Sequence, residues 1–459
     1  MPSQILKLSR IPEVFLAGFR AMIILICSLG TTWAADPGPT GASPDLVGTN
    51  ATIRYSLEQV RQTALEQNWG LLIAKTGIDS ATAQLIIAKE YPNPTFSIST
   101  ARLGTHDSST VLGNSVWHRN YDTIAAVNQL IEIGGKRRDR QMAARAGVVG
   151  AKARFLDAKR SLDQGVTKAY VAALFAEENV RVLHESAGYL QRQADIGKAR
   201  FNAGDLSESD YEQILIATEQ FELQAKAAEA SDVQARIAVQ VLMGVEKPTG
   251  QWAPLDTLEK VGATVSPLRQ PVPGAVRPDV LAAETDLRAA HAQLALQRAY
   301  RIPDPTILLE VEHSPPGGGP ATDTVGIGVS FPLPLWNHNR GNIKAAESTV
   351  NQLSLALQQV KAQAVADIGN ADISYKEASE RLQRYQEQIS PQSAKSRASI
   401  AYAFGKGGAT LVDLLQAERT DNDVRLATAQ AKSDTASALA DVMASRTVLT
   451  EIEANSRKF

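Results

Sequence analysis

The stretch from Gly135 to Asn202 contains no proline, and within it Leu162, Val166, Ala169, Ala173, Ala176, Val180, Leu183, Ala187, Leu190 and Ala194 follow a 4-3 spacing. That 3.5-residue repeat is the pattern of left-handed coiled-coil packing. At about 1.5 Å per residue the helix would reach roughly 100 Å. A second stretch, Asn342 to Phe404, carries only Pro391 and repeats the spacing at Ala364, Ile368, Ala371, Tyr375, Ala378, Leu382, Tyr385 and Ile389. It would reach roughly 90 Å on the same rise. Helices of this length do not fit inside globular cores, although 459 residues would otherwise suggest two or three such domains. Aromatic residues make up only 5% against 44% hydrophobic overall. The packing must therefore rest on small aliphatic side chains, and alanine at the seam lets neighbouring backbones approach closely.

The 47 basic and 49 acidic residues give no basic footprint for nucleic acid and no acidic excess typical of a disordered tail. Lys7, Arg10 and Arg20 precede or flank a short apolar run, Ala21 to Leu29, which ends near Thr32-Trp33-Ala34. This arrangement predicts a secretory signal over residues 1–34, cleaved after Ala34. Cys27, the only cysteine, lies inside that run, which excludes disulfides within the chain and any cysteine-cluster metal site. Ile26 stands where a lipoprotein signal needs a small residue, which argues against lipidation. Nothing after Ala34 approaches 18 consecutive apolar residues, so no membrane-spanning helix is expected.

The chain repeats itself. Tyr91-Pro-Asn-Pro-Thr-Phe96, Gln129-Leu-Ile-Glu-Ile133 and Phe201-Asn-Ala-Gly204 recur in order as Ile302-Pro-Asp-Pro-Thr-Ile307, Phe331-Pro-Leu-Pro-Leu335 and Tyr402-Ala-Phe-Gly405. Such ordered self-similarity points to duplication. The expected organisation is an extended segment at 35–54, a first repeat at 55–245, a Pro/Gly-rich connector at 246–277 and a second repeat at 278–456. Each repeat holds two segments of period two. Ile307, Leu309 and Val311 alternate with Leu308, Glu310 and Glu312. Val325, Ile327, Val329 and Phe331 alternate with Thr324, Gly326, Gly328 and Ser330. Phe96 and Ile98, then Tyr121, Thr123, Ala125 and Val127, form the first-half counterparts. One apolar and one polar face suits a strand between lipid and water, or equally a half-buried hairpin of a soluble sheet. In lipid an open sheet edge is not tolerated, so four membrane strands require oligomerisation, and dimer and trimer are both open on physical grounds.

The strand-to-helix junctions Gln129-Leu-Ile-Glu-Ile-Gly-Gly-Lys-Arg137 and Gly328-Val-Ser-Phe-Pro-Leu-Pro-Leu-Trp-Asn-His-Asn-Arg-Gly341 resemble those of TolC-like outer membrane efflux proteins, most nearly the heavy-metal (CzcC/CusC-like) branch. The resemblance covers about Tyr55 to Glu453. It implies a mainly α fold with a membrane β part: a homotrimer whose twelve-stranded β-barrel continues into an α-helical barrel through the periplasm. It also implies a periplasmic adaptor (membrane fusion) protein and an inner-membrane RND-type pump as partners, and a passive role in export. Tip residues that would meet the adaptor are Arg200, Gly204, Leu206, Ser207 and Asp210 in the first half, and Gly405, Gly408, Thr410, Leu411 and Asp413 in the second. Ser207 and Thr410 are expected N-caps of the returning helices.

Other features are weighed against simpler readings. Lys136, Arg137, Arg138 and Arg140 would meet inner-leaflet phosphates of the outer membrane or form ion pairs with neighbouring helices. Glu310 and Glu312 share a face and would line the bore, favouring cations or merely hydrating it. His106, His118, His184, His291, His313 and His338 are scattered without ligand spacing, so no metal site is assigned. Gly134-Gly135-Lys136 is not a phosphate loop, because Leu130 stands at the first glycine position and Arg137 replaces Ser or Thr. No catalytic constellation or cofactor fingerprint rises above background, so no enzyme and no cofactor are expected. The leading expectation is an export duct for heavy-metal cations. A duct for organic molecules, or a structural periplasmic coiled coil, are the alternatives.

Overall fold

The computed structural model describes residues 53–101, 122–264, 276–314 and 322–447. The expected signal, nearly all of the segment at 35–54, Tyr121, His106 and His118 lie outside them. In chain order the elements are β1 (Arg54–Tyr55), α1 (Leu57–Gln67), α2 (Trp69–Lys89), β2 (Thr95–Ala101), β3 (Asp122–Leu130), α3 (Lys136–Asn202), α4 (Glu208–Leu242), β4 (Ala253–Pro254), α5 (Leu258–Thr264), α6 (Pro278–Ala299), β5 (Thr306–Ser314), β6 (Thr322–Ser330), α7 (Arg340–Arg384), a π-helical turn (Tyr385–Ile389), α8 (Ser390–Gly405) and α9 (Leu411–Arg446).

The proline-free stretch becomes one helix of 67 residues, roughly 100 Å long. Its seam is the packing face: Val166, Ala173, Ala176, Leu183, Ala187, Leu190 and Ala194 are all buried. Because α4 has 35 residues, it covers only about half of α3, and α2 packs on the remainder. Where α4 ends, Asn68 caps α2 and donates from Nδ2 to the Leu242 carbonyl at 2.9 Å. Gly244, at φ 82°, is required here, since a Cβ would lie 2.2 Å from the Gln67 carbonyl oxygen.

The second long stretch departs from the expected continuous helix. It begins at Arg340 and is interrupted by the π turn directly before Ser390-Pro391. Proline lacks an N–H and its ring crowds the carbonyl four residues back, and a widened turn absorbs that conflict without breaking the rod. Ala364, Ala371 and Ala378, seven residues apart, are the buried residues of α7, whereas the last seam residue, Ile389, is exposed.

The connector is more than a spacer. β1 pairs in parallel with β4, Tyr55 facing Pro254. Trp252, wholly buried, packs between Tyr55 and Tyr170 with ring centroids 6.0 and 6.1 Å away. The Tyr170 hydroxyl donates to the Tyr55 carbonyl at 2.8 Å and accepts from the Leu255 and Asp256 N–H groups, each at 3.3 Å. A single tryptophan in a Pro/Gly-rich stretch carries no periodicity, so the sequence did not flag this core.

The four longer strands form one antiparallel sheet in the order β2-β3-β5-β6. Within one chain it is open, with β2 and β6 at its edges. The two hairpins share a register: Thr95 faces Asn128 in the first and Thr306 faces Ser330 in the second. Thr95 to Thr306 is a shift of 211 and Asn128 to Ser330 a shift of 202, the offsets at which the repeat's proline and junction motifs recur.

Burial pushes the Tyr170 phenol up to about 12 from the usual 10.0. A phenol raised in the folded state contributes stability that is complete below about pH 10 and is lost as pH rises through about 12. Tyr170→Phe leaves the Asp256 N–H without its acceptor and removes the bond to the Tyr55 carbonyl, and should cost about 1–3 kcal/mol at neutral pH. Denaturant titration in detergent checks this, and an unchanged midpoint would contradict the assigned role.

Candidate functional site

Alternation along the strands sorts the sheet into two faces. One carries Phe96, Ile98, Val127, Ile307, Leu309, Val325, Ile327 and Val329, all exposed, with Ile327 at 79%. The cross-strand row Phe96–Val127–Leu309–Ile327 shows how the register assembles this apolar band. At one end of the face, His313 and Asp323 pair at 2.7 Å beside Thr123. The opposite face carries Ser97, Ser99, Asn128, Glu310, Glu312, Thr324 and Ser330 with few apolar groups. Gly326 stands opposite Glu310, and a Cβ there would lie 2.8 Å from the carboxylate, so the glycine lets Glu310 lie flat along the wall. An exposed apolar band larger than a few side chains marks a surface meant for another phase or partner.

The basic cluster at the end of β3 resolves into contacts within the chain. Lys136 is only 2% exposed and pairs with Asp304 at 2.7 Å, whose carboxylate also accepts the Ile133 N–H at 2.9 Å. Arg137 stacks on the Tyr91 ring, 3.9 Å from its centroid, and donates to the Lys89 carbonyl. Arg140 pairs with Glu132 at 2.6 Å and reaches the Ala88 and Glu90 carbonyls. Arg137 and Arg140 thus satisfy carbonyls at the C-terminal end of α2, where cations are favoured. Of the two readings open from sequence, ion pairing within the chain describes Lys136 and Arg140. Only Arg138, largely exposed beside Asp139, stays open to solvent or headgroups. The partners Asp304 and Glu132 lie far from these cations in sequence or on the other side of a turn, so spacing alone could not pair them.

At the other end of α3 the first tip turn is Gly204, at φ 81°, with the Asp205 N–H bonded to the Arg200 carbonyl at 2.9 Å. Ser207 caps α4 by accepting the Asp210 N–H, as its spacing predicted. Thr410 and Asp413 form a reciprocal capping box on α9. The Thr410 hydroxyl and N–H hold the exposed Asp413 carboxyl below its ordinary value. In the second tip the left-handed residue is Gly407, at φ 76°, while Gly405 ends α8. The longer Lys406-Gly407-Gly408 turn moves the reversal two residues on. Leu411 is buried with Ala194 and Ile214, and half-buried Leu206 and Phe404 join them, so Leu411 fastens the tips together instead of facing outward. The Arg200 guanidinium lies 5.7 Å from the Phe404 ring. Gly204, Ser207, Gly408, Thr410 and Asp413 are exposed, as is Val412, which sequence reasoning missed.

Among the described residues no group of three or more His, Cys, Asp or Glu is arranged to hold a metal ion. His184 pairs with Glu229 at 2.7 Å. By length and composition α2 is apolar enough to cross a membrane, yet it carries Lys75 and Asp79 and lies along α3. Its Ile73, Ile86 and Ile87 are exposed.

An apolar-faced antiparallel sheet continued by paired helical rods defines an outer-membrane channel subunit. The family model for outer membrane efflux proteins matches residues 60–245 and 275–445, and the chain belongs to that family. It is accordingly an outer-membrane protein with its helices on the periplasmic side, a passive duct and not an enzyme. The cobalt-zinc-cadmium resistance protein CzcC of Cupriavidus metallidurans is 24% identical over 420 residues, 88% of this chain and 92% of its own. The pyoverdine export outer membrane protein OpmQ of Pseudomonas putida is 24% identical over 426 residues, 86% and 87% of the two chains. The solved structure of CusC matches with a TM-score of 0.70 at 16% identity, covering 87% of this chain and 93% of its own. The resemblance to the CzcC/CusC-like branch stands on these relatives.

Asp304→Ala would strip the buried Lys136 of its counter-charge and free the Ile133 N–H. A loss of about 3 kcal/mol is expected from an orphaned buried ion. Thermal unfolding of the purified protein in detergent checks it, and a midpoint equal to wild type would contradict the joint described above.

Proposed function

We propose that three copies of the chain form the exit duct of a tripartite efflux system, with twelve strands closing a barrel in the outer membrane and the helices forming a tunnel below it. The observation that carries this reading is the sheet: an exposed apolar face beside a polar one, with two unpaired edges. In lipid both edges need strand partners, and in a C3 ring every edge finds one. A dimer would give eight strands, a bore that side chains fill, whereas twelve leave room for water. The exposed apolar residues of α2 and α7, such as Ile73, Ile86, Leu355 and Val365, fit burial between neighbouring copies.

The tip, through Gly204, Ser207, Asp210, Gly405, Gly408, Thr410 and Asp413, docks a periplasmic adaptor, which in turn connects to an inner-membrane RND-type pump that supplies the energy. Glu310 and Glu312 line the bore. Heavy-metal cations are the preferred cargo because CzcC confers cobalt, zinc and cadmium resistance, and carboxylates with no Lys or Arg on β2, β3, β5 and β6 suit cations. OpmQ supports the second reading, an organic cargo.

Deleting the gene should sensitise cells to zinc, cobalt or cadmium more than to organic drugs, and the reverse ranking would favour the organic reading. At the tip, Gly405→Arg is the cleaner probe, because its Cβ meets open space and its φ is not left-handed. It should weaken cross-linking to the adaptor while leaving the trimer intact, and unchanged cross-linking would remove this tip from the docking surface.

A further inference from the structure

We infer that neighbouring copies join β6 to β2 in one defined register, with Val329 opposite Ile98, Ser330 opposite Ser97 and Gly328 opposite Ser99 of the next copy. The inference rests on the trimer reading and adds the residue-level geometry of its barrel interface.

The duplication supplies a template. Within the chain the second strand of the first repeat, β3, already pairs with the first strand of the second repeat, β5, with Asn128 facing Leu308 and Val127 facing Leu309. The missing contact, β6 with the next copy's β2, is the same junction one half-chain further on. The offsets are fixed by the hairpins, where Thr95 corresponds to Thr306 and Asn128 to Ser330. Asn128 therefore maps to Ser330 and Leu308 to Ser97, and the pair Asn128–Leu308 becomes Ser330–Ser97. Val127–Leu309 becomes Val329–Ile98 in the same way.

Three independent observations agree. First, the transferred register joins like faces: Val329 and Ile98 are both exposed apolar residues, and Ser330 and Ser97 both belong to the polar face. Second, it gives a sensible barrel. The row that begins at Phe96 leaves the chain at Ile327, which then meets Thr100 of the next copy, a step of four residues. Three such steps over twelve strands, with about 3.4 Å per residue and about 4.8 Å between strands, tilt the strands by about 35°. Outer-membrane barrels tilt by about 35–45°. Registers shifted by two residues either way keep the faces matched but give about 20°, far below that range, or about 47°, just above it, so the tilt excludes the first and the repeat template selects against the second. Third, the in-chain joint beneath β3 and β5 is covered, with Lys136 buried against Asp304 and the Ile131 N–H bonded to the Pro305 carbonyl at 2.9 Å. Its repeat counterpart is open: Leu333, Leu335 and Trp336 after β6 are exposed, the last at 90%, and Tyr91 before β2 keeps most of its surface exposed beside Arg137. A second copy supplies the complementary half of that joint.

Paired cysteines test the register in a chain whose only native cysteine is Cys27. Within one copy β2 and β6 stand three strand spacings apart, about 14 Å, too far for a disulfide, so every bond reports a neighbour. S97C/S330C and S99C/G328C should oxidise in outer membranes to covalent trimers, at least about tenfold more than S97C/G328C and S99C/S330C, whose Cβ atoms exceed bonding reach. The two in-register pairs guard against failure of one variant to fold. Each diagonal pair detects one of the shifted registers. Dominant bonding in a diagonal pair, with a trimer still seen on native gels, overturns the register and leaves the trimer reading standing. Wild-type protein that sediments as a monomer, with no pair bonding, overturns both.

Discussion

The backbone groups at the rims of the sheet govern this structure. In water a strand edge can bond to solvent, but in hydrocarbon each unpaired N–H and C=O costs several kcal/mol. A chain with four membrane strands therefore holds an incomplete object, and much else follows from how the rest of the molecule prepares it for completion. The apolar band is confined to one face, so that closure as proposed above would set all of it against lipid. Glycines opposite Glu310 and Leu308 keep the other face shallow. The long helices meet the same requirement in another form, because α2 and α7 leave apolar side chains bare along flanks that only further helices can cover.

The joint between sheet and helices turns this assembly into a single mechanical piece. Lys136 and Asp304 tie the start of α3 to the start of β5, and Arg137 and Arg140 reach back to the carbonyls at the end of α2. Buried ion pairs of this kind add little net stability over an apolar contact, but they are costly to break and so define one geometry. At the far end of α3 the tips are held by a small apolar cluster around Leu411 and Ile214, with polar caps outside it. A joint fixed by buried charges at one end and a small apolar cluster at the other fit the proposed tube, anchored in the membrane and docked at its tip.

Much of this was legible in the sequence. The absence of proline from 135 to 202 and the 4-3 spacing of Leu162 to Ala194 gave the 67-residue helix and its buried face almost to the residue. Period-two alternation gave all four strands, and Ser207 and Thr410 were readable as caps because capping is a local geometry. The failures have a common cause. Trp252, Asp304 and Leu411 act on partners far away in the chain, and spacing cannot reveal such contacts. The π turn before Pro391 was missed because a proline predicts a disruption but not which of several relaxations the helix takes.

By itself, then, the sequence determined the period of each element, the places where helices start and stop, and the duplication, all properties of neighbouring residues or of repeated order. That β3 pairs with β5, that Lys136 and Arg140 find their counter-charges within the chain, and that the connector's tryptophan closes a core are settled by tertiary contacts alone. Those choices depend on which surfaces meet, and the energy of a meeting depends on both sides at once. A strand's alternation says which residues share a face. The register that joins two strands is fixed by their joint burial and by hydrogen bonds that no single segment contains.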